Sequence, residues 1–138
     1  MKSKKQARQT QVSKIIDLSP HLRRITVTGE SLKGFSVGQE GTYVKVVLQN
    51  DHEHGSVKRS YTIRAFNPET LELELDFVVN RHSGPATDWA KQAHVGDQVG
   101  IAGPGPMKLT NFDHHSYLLI GDLTSINAIN GYVPRFRQ

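Results

Sequence analysis

The run from Leu71 to Val79 constrains the fold of this chain more than any other stretch. Leu71, Leu73, Leu75 and Phe77 alternate with Glu72, Glu74 and Asp76, the period of a strand with one face buried and the other in water. A face of that kind needs other strands to cover it, and the chain supplies them. Gln11 to Leu18 and Leu22 to Thr28 are β-branched-rich runs parted by Ser19-Pro20, the second ending at Gly29. Thr42 to Leu48 is another, entered through Gly38 and Gly41, and Lys58 to Arg64 a fourth. Asn67-Pro68-Glu69-Thr70 reads as a turn into the alternating strand, and Val95-Gly96-Asp97-Gln98 as a turn into Val99–Ala102. The one clear helix of this region starts near Gly84-Pro85-Ala86-Thr87 and runs through Trp89 to about Ala93. Short strands punctuated by turns, with little helix between them, predict a mainly β fold, a closed antiparallel barrel or a sandwich, and the barrel suits a chain of this length better.

Gly103-Pro104-Gly105-Pro106 then marks a boundary. Tyr117 to Gly121 is a continuous apolar run of the kind a buried parallel strand shows. Asp122 to Ser125 reads as a polar turn, with Thr124 or Ser125 capping a helix that contains Ile126, Ala128 and Ile129. One strand and one helix do not make a doubly wound domain, so the expectation is a complete barrel over residues 10–115 and the opening of a truncated α/β domain over 116–138.

Composition excludes several classes of function. With no cysteine in 138 residues, disulfides and thiolate metal sites are out, and redox work would need a bound cofactor. No apolar run approaches the roughly 20 residues of a membrane span, and the N-terminus lacks the apolar core of a secretory signal. The expectation is a cytoplasmic protein with no membrane contact. The net charge of +4 raises nucleic acid as a partner. Lys2, Lys4, Lys5, Arg8 and Lys14 fall within the first fourteen residues with no acid, so 17 less these five leaves 12 basic against 13 acidic residues. A near-neutral body with no basic stripe argues against nucleic acid, and residues 1–9 read as a disordered basic tail.

Two stretches carry candidate chemistry. Lys58-Arg59-Ser60-Tyr61-Thr62-Ile63-Arg64 sets Arg59 and Tyr61 on one face of a strand and Ser60 and Thr62 on the other. A dinucleotide along such a strand would meet a ring at Tyr61, a guanidinium at Arg59 and a hydroxyl at Thr62. The same residues also suit an ordinary strand with a solvated arginine and a half-buried tyrosine. Gly84-Pro85-Ala86-Thr87 opens a helix whose first N–H groups attract an anion; a plain connecting helix with Trp89 packed on the barrel is the equal alternative. Of the seven histidines, His52 with His54 and His114-His115 beside Asp113 are candidates for a metal site, but adjacent loop histidines without helical spacing read as solvated.

The ordered set Arg59-Ser-Tyr61-Thr62, Asp76-Phe77-Val78, Gly84-Pro85-Ala86-Thr87-Asp88-Trp89-Ala90, Gly96-Asp97, Ala102-Gly103-Pro104-Gly105 and Leu118-Leu119-Ile120-Gly121-Asp122 resembles siderophore-interacting proteins. These are flavin-dependent ferric-siderophore reductases of the ferredoxin-reductase-like superfamily, and the resemblance runs from about Thr10 to about Ile129. It implies a six-stranded Greek-key barrel binding FAD, followed by an NAD(P)H-binding α/β domain. By the same resemblance Arg59 meets the FAD pyrophosphate, Tyr61 stacks along the isoalloxazine, and Thr62 bonds near its reactive nitrogen. Ser60, Asp76, Phe77 and Val78 lie along the cofactor, Gly84, Pro85, Ala86 and Thr87 present the helix start to the pyrophosphate, and Thr124 and Ser125 return toward the flavin. Asn80 stands where many members have histidine, and Leu123 where they have an acidic residue. The implied reaction passes electrons from NAD(P)H or another donor through flavin to siderophore-bound iron(III), releasing iron(II), with the protein supplying orientation and tuning. A chain with so little of the second domain would hold FAD without an efficient route for hydride. The competing expectation is a non-catalytic barrel that binds nucleic acid or an acidic partner through its basic N-terminus.

Overall fold

The computed structural model describes residues 7–50, 55–107 and 112–137. Six strands form the body: β1 (Arg8–Ser19), β2 (Leu22–Thr28), β3 (Tyr43–Asn50), β4 (Gly55–Asn67), β5 (Glu72–Val78) and β6 (Gln98–Ala102). All neighbours are antiparallel, in the closed order β1-β2-β5-β4-β3-β6. β5 thus sits between β2 and β4 while β6 returns to join β1 to β3, which is the expected Greek-key barrel. Closure pairs each strand with two neighbours over at least part of its length. It also explains the alternation that fixed the fold: Leu73, Leu75, Phe77 and Val79 are all buried, while Glu72, Glu74 and Asp76 face outward.

Most strand bounds differ from expectation by a few residues, and two of the differences have a clear local reason. β1 starts at Arg8, inside the stretch assigned to a tail, because Arg8 pairs with Ile101 across the ladder and its guanidinium donates to the carbonyls of Ser31 and Lys33. Lys2, Lys4 and Lys5 lie outside the described residues. β5 starts at Glu72 rather than Leu71, since Leu71 has φ +54° and completes the turn. That turn is closed by Asn67, whose Oδ1 accepts from the N–H groups of Glu69 (2.9 Å) and Thr70 (3.4 Å).

Helix α1 (Pro85–Gln92) bridges β5 and β6, and α2 (Ile126–Tyr132) follows the barrel. The run Tyr117–Gly121 is not a strand, contrary to the pattern of its residues. Leu118 is 84% exposed and Ile120 85%. A parallel strand needs a neighbour to complete its ladder, and among the described residues none lies beside it. α2, in contrast, is seated firmly. A Cβ at Gly131 would come within 2.4 Å of the Cα and N of Gly41, so the helix backbone rests directly on the barrel loop. Gly41 itself has φ +94°, a conformation only glycine takes readily. Arg135 reinforces the seat by donating from Nη2 to the carbonyls of Gly38 (2.9 Å) and Glu40 (3.1 Å).

Candidate functional site

The barrel opens at one place. β4 pairs with β5 only from Ile63 to Asn67, while its earlier residues pair with β3 alone. β5 meanwhile continues along β2 as far as Val78. Past Ile63 and Leu75 the two strands splay, and a cleft of about 250 Å³ lies between them, closed off by the start of α1 and the turn before α2. Arg59, Ser60, Tyr61 and Thr62 form one lip, Asp76 and Val78 the other, and Thr87, His82 and Thr124 line the ends. A second depression of about 550 Å³, which includes Tyr43, Lys45 and Tyr132, meets the cleft at Ser60 and Thr62. Together they fall in the size range of cofactor sites, about 300–1,000 Å³.

Each lip residue has an identifiable support. Tyr61 lies half-buried against Phe77, ring centroids 4.2 Å apart, and Phe77 in turn packs on Trp89 at 5.8 Å. Burial pushes the Tyr61 phenol above its ordinary value, against the opposing effects of a hydrogen bond with Thr87 and the charge of Arg59. The ring is therefore neutral and fixed in place. Arg59 is exposed and has no ion-pair partner among the described residues; its Nη1 donates only to the carbonyl of Lys58 at 3.0 Å. The Thr87 hydroxyl donates to the Val78 carbonyl at 3.4 Å and sits 3.1 Å from His82 Nε2.

The side chains of Asp76 and Phe77 are engaged within the protein. Asp76, its side chain 4% exposed, accepts from Arg24 Nε (2.8 Å) and Nη2 (3.1 Å) and from Asn127 Nδ2 (2.9 Å). Its oxygens are thus engaged in tying β2, β5 and α2 together. The hydrogen bond to Asp76 holds the Arg24 guanidinium above its already high value, against the cost of burial. Phe77 is 1% exposed and points into the core, so its side chain supports Tyr61 and is closed to a ligand.

The helix start is split. Thr87 lines the cleft, but the Ala86 side chain is buried and Pro85 borders a separate groove beside Trp89 and Gln92. The first intrahelical bond runs from Asp88 N–H to Gly84 C=O at 2.8 Å, so the N–H groups of Ala86 and Thr87 stand ahead of the ladder. The carboxylate of Asp88 shares this end of the helix and accepts from the Ser83 hydroxyl at 3.2 Å. Thr124 reaches the cleft; Ser125 does not line it. Neither hydroxyl caps α2, because both turn back to Asp122 Oδ1. The hydroxyl of Thr124, then its N–H, holds the Asp122 carboxyl below its ordinary value.

His82 and Asn127 also line the cleft and escaped sequence reasoning. Asn127 carried a usable signal, lying one helical turn beyond Thr124. His82 carried none, since its approach to Thr87 depends on the path of the loop. The metal alternative finds no support: among the described residues no three histidines or carboxylates converge. His114 and His115 are exposed, and His52 and His54 lie outside the described residues. No helix among the described residues is long and apolar enough to cross a membrane.

An aromatic ring, a guanidinium with no ion-pair partner among the described residues, hydroxyls and the helix start at Thr87 around one cleft can hold a planar heterocycle with an anionic tail. Comparison with known proteins points the same way. Residues 11–57 and 50–108 match the family described as the siderophore-interacting FAD-binding domain. The chain is 32% identical over 135 residues to the ferric vibriobactin reductase ViuB of Vibrio cholerae, covering 86% of this chain and 50% of that protein. It superposes on the siderophore-interacting protein SipS of Aeromonas hydrophila with a TM-score of 0.81 and 34% identity, over 94% of this chain and 54% of that one. A ferredoxin NADP+ reductase from Neisseria gonorrhoeae, with bound FAD and NADP, shares the fold at 14% identity and a TM-score of 0.57, over 72% of this chain and 37% of that one. The chain spans about half the length of the curated reductase ViuB.

Proposed function

This chain belongs to the siderophore-interacting FAD-binding domain family, and on that premise we propose that it holds FAD in the splayed cleft between β4 and β5 as the flavin-carrying part of a ferric-siderophore reductase. The observation that carries the reading is that Arg59, Tyr61 and Thr62 of β4 share one opening with Thr87 of α1 and Thr124 before α2. Tyr61, held rigid by Phe77, offers its ring to the isoalloxazine at little entropic cost. Arg59, with no carboxylate partner among the described residues, offers its guanidinium to the pyrophosphate, and the leading N–H groups of α1 add donors. Thr62 supplies a hydroxyl between the two depressions, near where the reactive edge of the ring would lie.

FAD held by Arg59, Tyr61, Thr62 and Thr87 would supply the redox chemistry that links NAD(P)H or another donor to the iron(III) of a ferric siderophore. The side chains of the cleft hold and orient; none is needed as an acid or nucleophile. Residues 10–115 are the FAD domain in this reading, and residues 116–138 the leading segment of an NAD(P)H-binding α/β unit.

The test is flavin titration of the purified chain. Wild type takes up FAD with the visible bands of a bound flavin, and Arg59→Ala and Tyr61→Ala each weaken binding about tenfold, the worth of one charge-assisted contact or one stacked ring. Full flavin retention in both variants refutes the assignment.

A further inference from the structure

We propose that the groove between α1 and the β3–β4 ladder takes the adenosine half of FAD, so that the chain selects a dinucleotide over a mononucleotide flavin; this rests on the flavin reading above. The groove, about 870 Å³, is a larger neighbour of the cleft. Pro85, Asp88, Trp89 and Gln92 form one wall, the i, i+3, i+4, i+7 stripe of a single face of α1. Leu48 and its cross-strand partner Val57 stand on the other. β4 pairs with β3 without a register shift from Val57 to Thr62, so Val57, Arg59 and Tyr61 fall on one face of the strand, in steps of about 7 Å. FAD laid along that face with its ring at Tyr61 and its diphosphate at Arg59 brings its adenosine to Val57. The helix agrees with the strand: the first turn of α1, where the diphosphate would sit, is also where the groove begins, at Pro85.

The chemistry of the groove suits that group. Among the described residues lining it, Asp88 is the one charged side chain, so the groove offers no cation to a phosphate. It offers instead apolar surface from Leu48, Val57 and the half-buried Trp89, which favours a neutral heterocycle leaving water. The Asp88 carboxylate is exposed, accepts from the Ser83 hydroxyl at 3.2 Å, and keeps lone pairs for further donors. A carboxylate repels a diphosphate, but it accepts readily from the hydroxyls of a ribose. Asp88 at the diphosphate end of α1 is therefore a fault in a site for a mononucleotide and an asset in one that continues into adenosine. One turn further on, the exposed Gln92 amide offers a donor and an acceptor to a purine edge.

The experiment is fluorescence titration with FAD and with FMN, which has the same ring and ribityl chain, one phosphate and no adenosine. Wild type binds FAD about tenfold or more tightly than FMN. Gln92→Trp, at an exposed position on α1 where a larger side chain fills the groove without disturbing the core, brings FAD affinity down to that for FMN and leaves FMN affinity unchanged. Asp88→Ala separates the two effects of that carboxylate: it weakens FAD about tenfold, the loss of a hydrogen bond to a charged acceptor, and leaves FMN binding no weaker. Tighter FAD binding by Asp88→Ala identifies a carboxylate that only opposes the diphosphate, and overturns the proposal. Equal affinity of wild type for FAD and FMN overturns it too, as does a preference for FAD that survives both substitutions. Failure to bind either flavin overturns the flavin reading and this proposal together, whereas each of the other adverse results leaves the flavin reading standing.

Discussion

Replacing Arg24 with methionine strands a carboxylate in the wall of the cleft. The Asp76 side chain is 4% exposed and that of Arg24 19%, and the two share contacts at 2.8 and 3.1 Å. Removing one partner of a buried pair costs about 3–5 kcal/mol, because the remaining charge stays desolvated. The bond from Asn127 at 2.9 Å survives, and Arg24 is partly open to water, so the lower end applies, about 3 kcal/mol. In a domain near 150 residues each kcal/mol moves Tm by about 2–4 °C, which gives a fall of about 6–12 °C for Arg24→Met. Thermal and urea unfolding of the purified variant measure it. The double variant Arg24→Met/Asp76→Asn removes the stranded charge, leaves a carboxamide to accept from Asn127, and recovers at least half of the loss. A drop under about 2 °C in the single variant, or a double variant no better than the single one, refutes the reasoning.

Two further outcomes follow from the same geometry. Gly131→Ala gains about 1 kcal/mol of helix propensity but sets a carbon 2.4 Å from the Gly41 backbone, and overpacking of that kind costs about 1–3 kcal/mol. The clash wins, α2 lifts, and amide exchange from Ile126 to Tyr132 accelerates; greater protection in the variant contradicts this. The Tyr61 phenol is raised by burial, so the native state holds its proton more tightly than the unfolded chain. Its contribution to stability is complete below the unfolded value, about 10, and is lost as pH rises through the higher folded value. Tyr61→Phe lacks this loss, and melting curves from pH 9 to 11 that run parallel in the two proteins rule it out.

The fold was legible where the pattern was local. The alternation from Leu73 to Phe77, the Asn67 turn and the proline at the first turn of α1 each carry their own physical signal, and each lies where the sequence placed it. Apolar content alone misled at Tyr117–Gly121, since a strand exists only where a ladder partner does. For the site, the motif from Arg59 to Thr62 identified one lip, and Val78, Thr87 and Thr124 join it. Residue type could not separate Asp76, whose oxygens are committed to Arg24 and Asn127, from a residue free to meet a ligand. It also could not reveal that Phe77 turns inward or that His82 reaches Thr87. These are consequences of where strands part and loops travel, which no single segment encodes.

Gly41 and Gly131 limit how closely α2 approaches the barrel. Main chain touches main chain there, with no side-chain atom between to reorient or compress. The separation of α2 from the loop before β3 therefore has a hard lower limit that rotamer changes leave untouched. Backbone contact thus sets how near α2 can come to the barrel, and the Asn127–Asp76 and Arg135 bonds hold it there.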